Sequence, residues 1–478
     1  MKGKRWLVLP VSLAVVLLAS SIGGTAASFV DQESSSSNTF EAWTSVLWQQ
    51  TTQADFEAGV QNNTDTSSNP GDVKLRIRGG WYDASWSYRV PITINNPGAS
   101  LADYQIKIDV IYDADMQPDF DDVRFTQDDG TTELSYWRES YAESSSATFW
   151  VKVSTIPTGN SMIYMYYGNP AVASASSGDN TFIFYDSFEV DLTKWAEINS
   201  GAGSATRVTN PPAAHGNYSV KIEDTSIMDG YGIKAKFASQ SICVIEFYIR
   251  LAQTDMRSVI KIKDSTGANG PTLRFNKDST IEYKVAGTWT DIDTLTYSAD
   301  TWYEFKLTEI DSVDDTYDIY LDGQLELNDA GFDVAITDIR RVRFRGTASG
   351  TPAFYIDLFR VRKYASAEPT TSVGSEEGMY ISMGTIASQV LDTGVTGASW
   401  DALFWDETLP SNTDITFEVR ASDTLFAKND ASPSWTPVGG TSPVTSGLPS
   451  GRYMQWRATL TTPDTSRTPT LHEVRVYY

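Results

Sequence analysis

The sequence predicts an all-β protein, built from tandem β-sandwich domains of the jelly-roll kind behind an N-terminal signal segment. Apolar and polar residues alternate in run after run, and no segment after the leader keeps a helical period long enough for a major helix. Aromatic residues make up 12% of the chain, which suits many short strands. With 478 residues, 41% of them hydrophobic and 21% charged, the chain has the balance of a folded protein of about three domains.

Charge and residue counts narrow the possible functions. The chain has 61 Asp and Glu against 37 Lys and Arg, a net charge of −24. Phosphate binding needs a basic field, so we expect no nucleic-acid partner. Because there are only 2 His and 1 Cys, a Cys/His zinc site and a disulfide framework are both excluded.

Residues 1–27 have the layout of a secretory signal peptide. Three basic residues among the first five precede an apolar run over 6–19, and small residues follow up to Ala27. This order predicts export, cleavage before Ser28, and an extracellular or cell-surface location. The alternative is a retained membrane anchor, although the run is short for a span.

The residues after the leader are polar and rich in turn formers. Residues 28–33 and 38–42 resemble the leader of camelysin-type and biofilm-fibre proteins, although Trp43 stands where that family usually has Gly. We interpret residues 28–80 as a spacer with little core of its own.

A change to period-two alternation marks the first folded unit, residues 81–175. The apolar residues from Tyr88 to Ile94 share one face, and the pattern recurs over 104–110 and 149–153. Pro91 lies inside the first of these runs, where its missing N–H predicts an edge strand. The unit therefore reads as a β-sandwich.

Five short segments of this unit carry a family resemblance. They are Trp86–Arg89, Asp122–Phe125, Leu134–Trp137, Phe149–Val153 and Tyr166–Pro170. Taken in that order they resemble the domain of unknown function numbered 2341, found in secreted and surface proteins of bacteria and archaea. The resemblance implies an extracellular β-sandwich module without established catalytic residues.

Two more sandwiches follow in the sequence. Residues 180–365 open on an aromatic-acidic segment, Phe184–Glu189, and close on a strand pattern over 354–361. This unit resembles a concanavalin A-like jelly roll of the laminin-G kind. A polar linker over 366–378 separates it from a C-terminal unit, 379–478, whose short alternating strands also predict a sandwich.

Two carboxylates in the middle unit fall on apolar strand faces. Asp186 and Asp357 each alternate with aromatic residues, and a buried carboxylate needs a cation or hydrogen-bond donors. Sandwiches that resemble this unit often hold one structural calcium ion where the first and last strands meet. We therefore predict Ca²⁺ bound by Asp186, Glu189 and Asp357, with loop carbonyls completing the site. The equal alternative is that both acids cap loops or pair with Arg343 or Arg362.

One segment resembles a catalytic motif. Many concanavalin-like glycoside hydrolases carry Glu-x-Asp-x-x-Glu, which places two carboxylates on one strand face. Here the motif runs from Glu309 to Asp314, with the shorter acid in last place, and residues 311–316 read as a hairpin turn. We therefore predict no catalytic residues and no enzyme. The alternative is a secreted carbohydrate-active enzyme of the glycoside hydrolase kind, or its binding subunit.

Aromatic side chains near turns are the candidates for sugar stacking. Trp289 and Trp435 both lie in turn-like segments, whereas a Trp in a sandwich more often packs in the core. We predict a binding or adhesion protein whose partner is an extracellular glycan or another surface polymer. A structural component of a surface layer or fibre is the remaining alternative.

Overall fold

The computed structural model describes residues 47–199, 201–226, 230–347 and 351–478. Within them lie 35 strands and two short helices, so the all-β prediction is confirmed. The signal segment, the leader resemblance and the first part of the predicted spacer fall outside the described residues. In the part of the chain that the structure describes, no helix is both long and apolar enough for a membrane span.

The first elements of the described chain are β1 (Leu47–Gln50), α1 (Gln53–Glu57), β2 (Val60–Asn62), β3 (Thr64–Asp65) and β4 (Val73–Leu75). There follow β5 (Tyr88–Asn96), β6 (Leu101–Ile111), β7 (Arg124–Thr126), β8 (Glu133–Leu134), β9 (Tyr136–Ala142), β10 (Ser146–Ile156), β11 (Gly159–Tyr167) and α2 (Gly178–Thr181).

The middle of the chain forms β12 (Phe184–Asp186), β13 (Ala196–Ile198), β14 (Gly203–Val208), β15 (Ser219–Asp224), β16 (Gly232–Gln240), β17 (Ile242–Leu251), β18 (Ser258–Lys263), β19 (Asn269–Phe275), β20 (Thr280–Val285), β21 (Thr288–Thr296), β22 (Trp302–Asp311), β23 (Thr316–Leu321), β24 (Gln324–Gly331), β25 (Ile339–Gly346) and β26 (Ala353–Arg362). The last elements are β27 (Thr370–Val373), β28 (Glu377–Gly378), β29 (Met383–Ala387), β30 (Leu391–Asp392), β31 (Ala402–Thr408), β32 (Asp414–Ser422), β33 (Thr436–Val438), β34 (Tyr453–Thr461) and β35 (Thr470–Tyr477).

The described chain divides into two compact units, Gly80–Glu377 and a second one that joins residues 47–79 to Gly378–Tyr478. The larger unit contains two sandwiches. In the first, the sheet β6-β10-β9 faces the sheet β27-β5-β11-β7-β8, and the alternating residues of both close one core.

Strand β5 is not the edge strand that Pro91 predicts. It lies between β11 and β27, and β27 comes from the segment interpreted as a linker, 366–378, so that interpretation is wrong for 370–373. The Pro91 carbonyl accepts the N–H of Gly374 (2.8 Å), one residue past the end of β27. The missing N–H of Pro91 therefore falls where the β5-β27 ladder stops.

The second sandwich of this unit is a jelly roll with an eight-stranded and a seven-stranded sheet. The first runs β14-β15-β26-β17-β22-β23-β24 with β12 beside β26, and the second runs β13-β16-β25-β18-β19-β20-β21. Their inner faces enclose a single aromatic-rich core. Asp322 and Gly323 join β23 to β24 with φ of 46° and 80°, the positive values of a two-residue hairpin turn.

The smaller unit overturns the spacer interpretation for residues 47–79. Its sheets are β1-β35-β4-β3, with β31 on β35, and β2-β29-β34-β32-β33, with β30 on β34. The N-terminal strands thus complete both sheets, and Phe56, Val73 and Leu75 are buried in the shared core. Few apolar residues suffice here because strands from 378–478 supply the rest of that core.

Candidate carbohydrate-binding cleft

Trp289 stands at the start of β21, directly opposite Lys284 of β20. The hairpin turn between them uses Ala286 and Gly287, whose φ values of 46° and 83° are those of a two-residue type I′ turn. The guanidinium carbon of Arg274 lies 4.1 Å from the centre of the indole ring, and the Lys284 Nζ lies 5.9 Å away. The turn and these cations hold a half-buried ring on the seven-stranded sheet.

A cleft of about 240 Å³ opens beside this ring. Besides Trp289 it is lined by Val259, Lys261, Arg343, Arg345, Gly346 and Thr347. Lys261 of β18 and Arg343 of β25 are directly opposite each other, so both project from the same face. The cleft therefore combines one aromatic ring with several hydrogen-bond donors, the mixture that orients a polar ligand.

The cations of the cleft form no ion pair with a carboxylate of the described residues. Among the described residues, neither Lys261 nor Arg343 makes an ion pair. Burial lowers the pKa of Lys261; nearby Asp333 raises it, and the surrounding cations lower it further. Burial and Arg345 likewise lower the pKa of Arg343. An anionic group in the cleft would relieve this repulsion.

Asp357, a predicted calcium ligand, is fully buried in β26. Its Oδ2 accepts the backbone N–H of His215 (2.8 Å) and its Oδ1 accepts that of Leu358 (2.7 Å). Burial raises the pKa of this carboxyl to about 7, against these hydrogen bonds and with a contribution from the charge of Glu189. The carboxyl thus has backbone donors, as the loop-capping alternative requires, and lies near a second carboxylate.

The other two predicted ligands have different surroundings. The Oε1 of Glu189 accepts the backbone N–H groups of Asn217 and Tyr218, both at 2.8 Å, in the loop that also caps Asp357. Asp186 instead accepts the indole N–H of Trp195 (2.9 Å). The structure therefore brings Glu189 and Asp357 to one loop, and it ties Asp186 to a neighbouring tryptophan.

These three carboxylates do not all lie within 4.8 Å of one another. In the described ranges the acidic group that meets this criterion is Asp113, Asp115 and Glu376, all exposed, which the sequence patterns did not single out. Calcium binds carboxylate oxygens, although the loop groups that contact these two carboxylates are backbone N–H donors. Glu189 and Asp357 could supply two of the oxygen ligands, and calcium binding there stays a prediction.

Trp435, the second candidate for sugar stacking, packs against its own domain. The guanidinium carbons of Arg420 and Arg457 lie 4.4 Å and 4.5 Å from the centre of its ring. The ring is half-buried, and Arg420 beneath it is almost fully buried. Cation–π packing therefore accounts for much of this Trp surface.

The segment that resembles a hydrolase motif forms the hairpin between β22 and β23. Asp314 is exposed in the turn, as the sequence predicts, and Glu309 lies in β22 with φ of 47° at an irregular point of the ladder. The two acids thus belong to different local structures, a strand and a turn.

The cations of the cleft were missed by the sequence patterns. A signal existed, because Arg341, Arg343 and Arg345 alternate with the buried Val342 and Phe344. That alternation places three arginines on the outer face of one strand. Their neighbours across the sheet come from distant segments, so only the fold brings the group together.

Two family profiles match this chain. Residues 119–199 match the domain of unknown function 2341, as its sequence segments indicate. Residues 209–354 match the sialidase-like carbohydrate-binding-module domain, which contains every residue that lines the cleft. The prediction of a β-sandwich for the middle unit is confirmed. A relation to laminin-G domains is not shown.

Similar solved structures include a sialidase, with 15% identity over 43% of this chain and 20% of that one, at a TM-score of 0.33. The cellulose-induced protein Cip1 has 15% identity over 38% of this chain and 97% of its own, at a TM-score of 0.30. The chain spans about 20% of the length of the sialidase that it matches. No curated protein matches the chain.

Proposed function

We propose that this protein is an exported extracellular or surface protein that binds a glycan in the cleft beside Trp289. The observation that carries the proposal is the position of this cleft, a tryptophan with convergent donors, inside the region that matches a carbohydrate-binding module. In this proposal the protein holds its glycan without cleaving it, because Glu309 and Asp314 lie in different local structures, a strand and a turn.

The chemistry of the cleft suits a sugar ring. An indole face offers an apolar surface to the C–H groups of a pyranose, while Lys and Arg donate hydrogen bonds to its oxygens. Arg274 packs on the indole, which fixes the ring before a ligand arrives. Pre-ordering of this kind lowers the entropic cost of binding.

Export and calcium complete the proposal. Residues 1–27 direct secretion, and the calcium concentration outside cells favours a structural ion bound by Glu189 and Asp357. Such an ion would fix the loop 214–218 against β26, on the sandwich that carries the cleft. It would supply folding stability and take no part in the sugar contacts.

The test is a glycan array with the secreted chain, followed by calorimetric titration of the best ligand. Trp289→Ala should weaken binding by about 2 kcal/mol, roughly thirtyfold in Kd, since a central aromatic contact is lost. Trp289→Phe should retain part of the affinity, because a smaller aromatic face remains.

Two further variants locate the site. Trp302→Ala is the matched control, since this half-buried tryptophan lies on the other sheet of the same jelly roll, and binding should not change. Trp435→Ala tests the competing candidate. A loss of binding in Trp435→Ala with none in Trp289→Ala, both variants being folded, would contradict the proposal.

A further inference from the structure

The outer face of the seven-stranded sheet carries cations in register on three neighbouring strands. In one cross-strand row Arg343 of β25 lies between Lys234 of β16 and Lys261 of β18. In the next row Arg341 lies between Lys236 and Lys263. We name this group the cationic face; its residues are Lys234, Lys236, Lys261, Lys263, Arg341, Arg343 and Arg345.

Such an arrangement is unfavourable without a partner. Directly opposed residues on paired strands have Cβ atoms roughly 5 Å apart, and like charges there destabilise the sheet. None of these residues forms an ion pair with a carboxylate in the described ranges. The chain has 61 acidic side chains against 37 basic ones, so partners are not scarce in its composition.

Acidic partners do occur at one side of the same sheet. Glu282 pairs with Arg274, and Asp333 pairs with Lys284 at 3.0 Å. These pairs neutralise the strands β19 and β20, next to Trp289. On the neighbouring strands β16, β18 and β25, the cations form no ion pairs with the described residues.

Two of the arginines also leave a donor unused. The Nε atoms of Arg341 and Arg343 have no contact with solvent and no hydrogen-bond partner among the described residues. An unpaired buried donor is costly, and more so when it is charged. The cations without ion pairs, together with the cleft beside Trp289, indicate a face that a ligand completes.

We propose that the glycan bound by this protein is a polyanion, a sugar chain that bears carboxylate or sulfate groups at intervals. One sugar lies on Trp289 in the cleft, and the charged groups of the following sugars lie across the cationic face toward the exposed Lys234 and Lys236. Guanidinium groups bind carboxylate and sulfate oxygens in pairs, which gives orientation as well as attraction. This inference rests on the proposed glycan-binding function and specifies its ligand class.

Matched polymer pairs test the charge requirement on the full chain. Polygalacturonate is compared with its methyl ester, and dextran sulfate with dextran, because each pair shares a backbone and differs in charge. We expect at least one anionic member to bind at least tenfold more tightly than its neutral partner. Raising the salt from 50 to 500 mM should weaken that binding about tenfold or more, as screening requires.

The double variant Lys261→Gln with Arg343→Gln should reduce binding of the anionic polymer at least tenfold. Lys107→Gln is the matched control, since this exposed lysine lies on β6 of the first sandwich, and it should leave binding unchanged. Inorganic polyphosphate, an anion without sugar, should bind at least tenfold more weakly than the anionic glycan, and its binding should not depend on Trp289.

Each contrary result has a definite meaning. Neutral glycans that bind as tightly as the anionic ones, with dependence on Trp289 but not on Lys261 and Arg343, would overturn this inference and leave the proposed function in place. Polyphosphate bound as tightly as the glycans would replace the sugar ligand by a phosphate polymer. Binding of no glycan on the array and no polymer would overturn both proposals.

Discussion

Glu246 is the buried charge whose removal tests the packing of the larger unit most directly. It lies in β17, about 6% exposed, between two arginines of β26. Arg360 Nε approaches its Oε2 at 2.5 Å, and Arg362 Nη2 approaches its Oε1 at 3.2 Å. Arg360 also pairs with Glu139 of the first sandwich, and Arg362 pairs with Glu368 at 2.8 Å. The perturbation is Glu246→Gln, which keeps the shape and removes the charge.

The expected cost follows from the pKa of this carboxyl. Burial alone would raise it, but Arg360 and Arg362 outweigh burial and lower it from 4.5 to about 2. A fall of that size corresponds to roughly 3 kcal/mol of stability. Because the folded pKa is depressed, this stability is present above pH 4.5 and is lost as the pH falls toward 2. Removing one partner of a buried ion pair costs about 3–5 kcal/mol, which agrees.

Scanning calorimetry and urea unfolding of the full chain at pH 7 provide the measurement. For Glu246→Gln the transition of the larger unit should fall by on the order of 10 °C. Glu418→Gln is the control, since it breaks the strand-borne pair with Arg457, whose side chains are 27% and 33% exposed. That pair should contribute less than about 1 kcal/mol. If Glu246→Gln cost no more than Glu418→Gln, the reasoning from the buried network would be refuted.

Two further predictions concern calcium and export. A calcium ion held by Glu189 and Asp357 should stabilise the jelly roll by about 2.7 kcal/mol at a hundredfold excess over Kd, a melting shift on the order of 5 °C. Asp357→Asn should abolish that shift, and identical scans in chelator and in millimolar calcium would remove the metal from the proposal. N-terminal sequencing of the secreted protein should begin near Ser28, and secreted material that still starts at Met1 would favour a retained anchor.

Strands were the most predictable part of the fold because their signal is local. The alternation over Tyr88–Ile94 and Tyr104–Val110 marks residues that face one core in the structure. Each pattern can be recognised from residues that are adjacent in the sequence. The short family segments are also local, and residues 119–199 match the domain of unknown function 2341.

Pairing between distant segments was beyond the sequence patterns. Strand β1 pairs with β35, more than 400 residues later, and the indole N–H of Trp456 donates to Gln50 Oε1 at 2.6 Å. The polar composition around Gln50 reads as a spacer because its buried residues are few. A segment that completes another domain's sheets needs little apolar surface of its own, so composition misleads there.

The site was predictable only in its aromatic component. Trp289 follows a Gly-containing turn that the sequence displays, whereas the cationic face depends on strand order. Lys234, Lys261 and Arg343 become neighbours because β25 lies between β16 and β18. Strand order in a jelly roll follows long-range pairing, which no local pattern reports.

The two outer faces of the jelly roll differ more in how their charges are paired than in how many charges they carry. On the eight-stranded sheet, Arg360 and Arg362 are buried and meet three carboxylates, and Arg360 packs 4.9 Å from the centre of the Trp150 ring of the first sandwich. Those arginines therefore already form ion pairs within the protein. On the seven-stranded sheet, Arg343 and Lys261 meet no carboxylate of the described residues at ion-pair distance. The two faces belong to one sandwich and carry similar residue types. An anionic ligand would therefore stabilise the outer face of the seven-stranded sheet more, because Arg343 and Lys261 form no ion pair with the described residues.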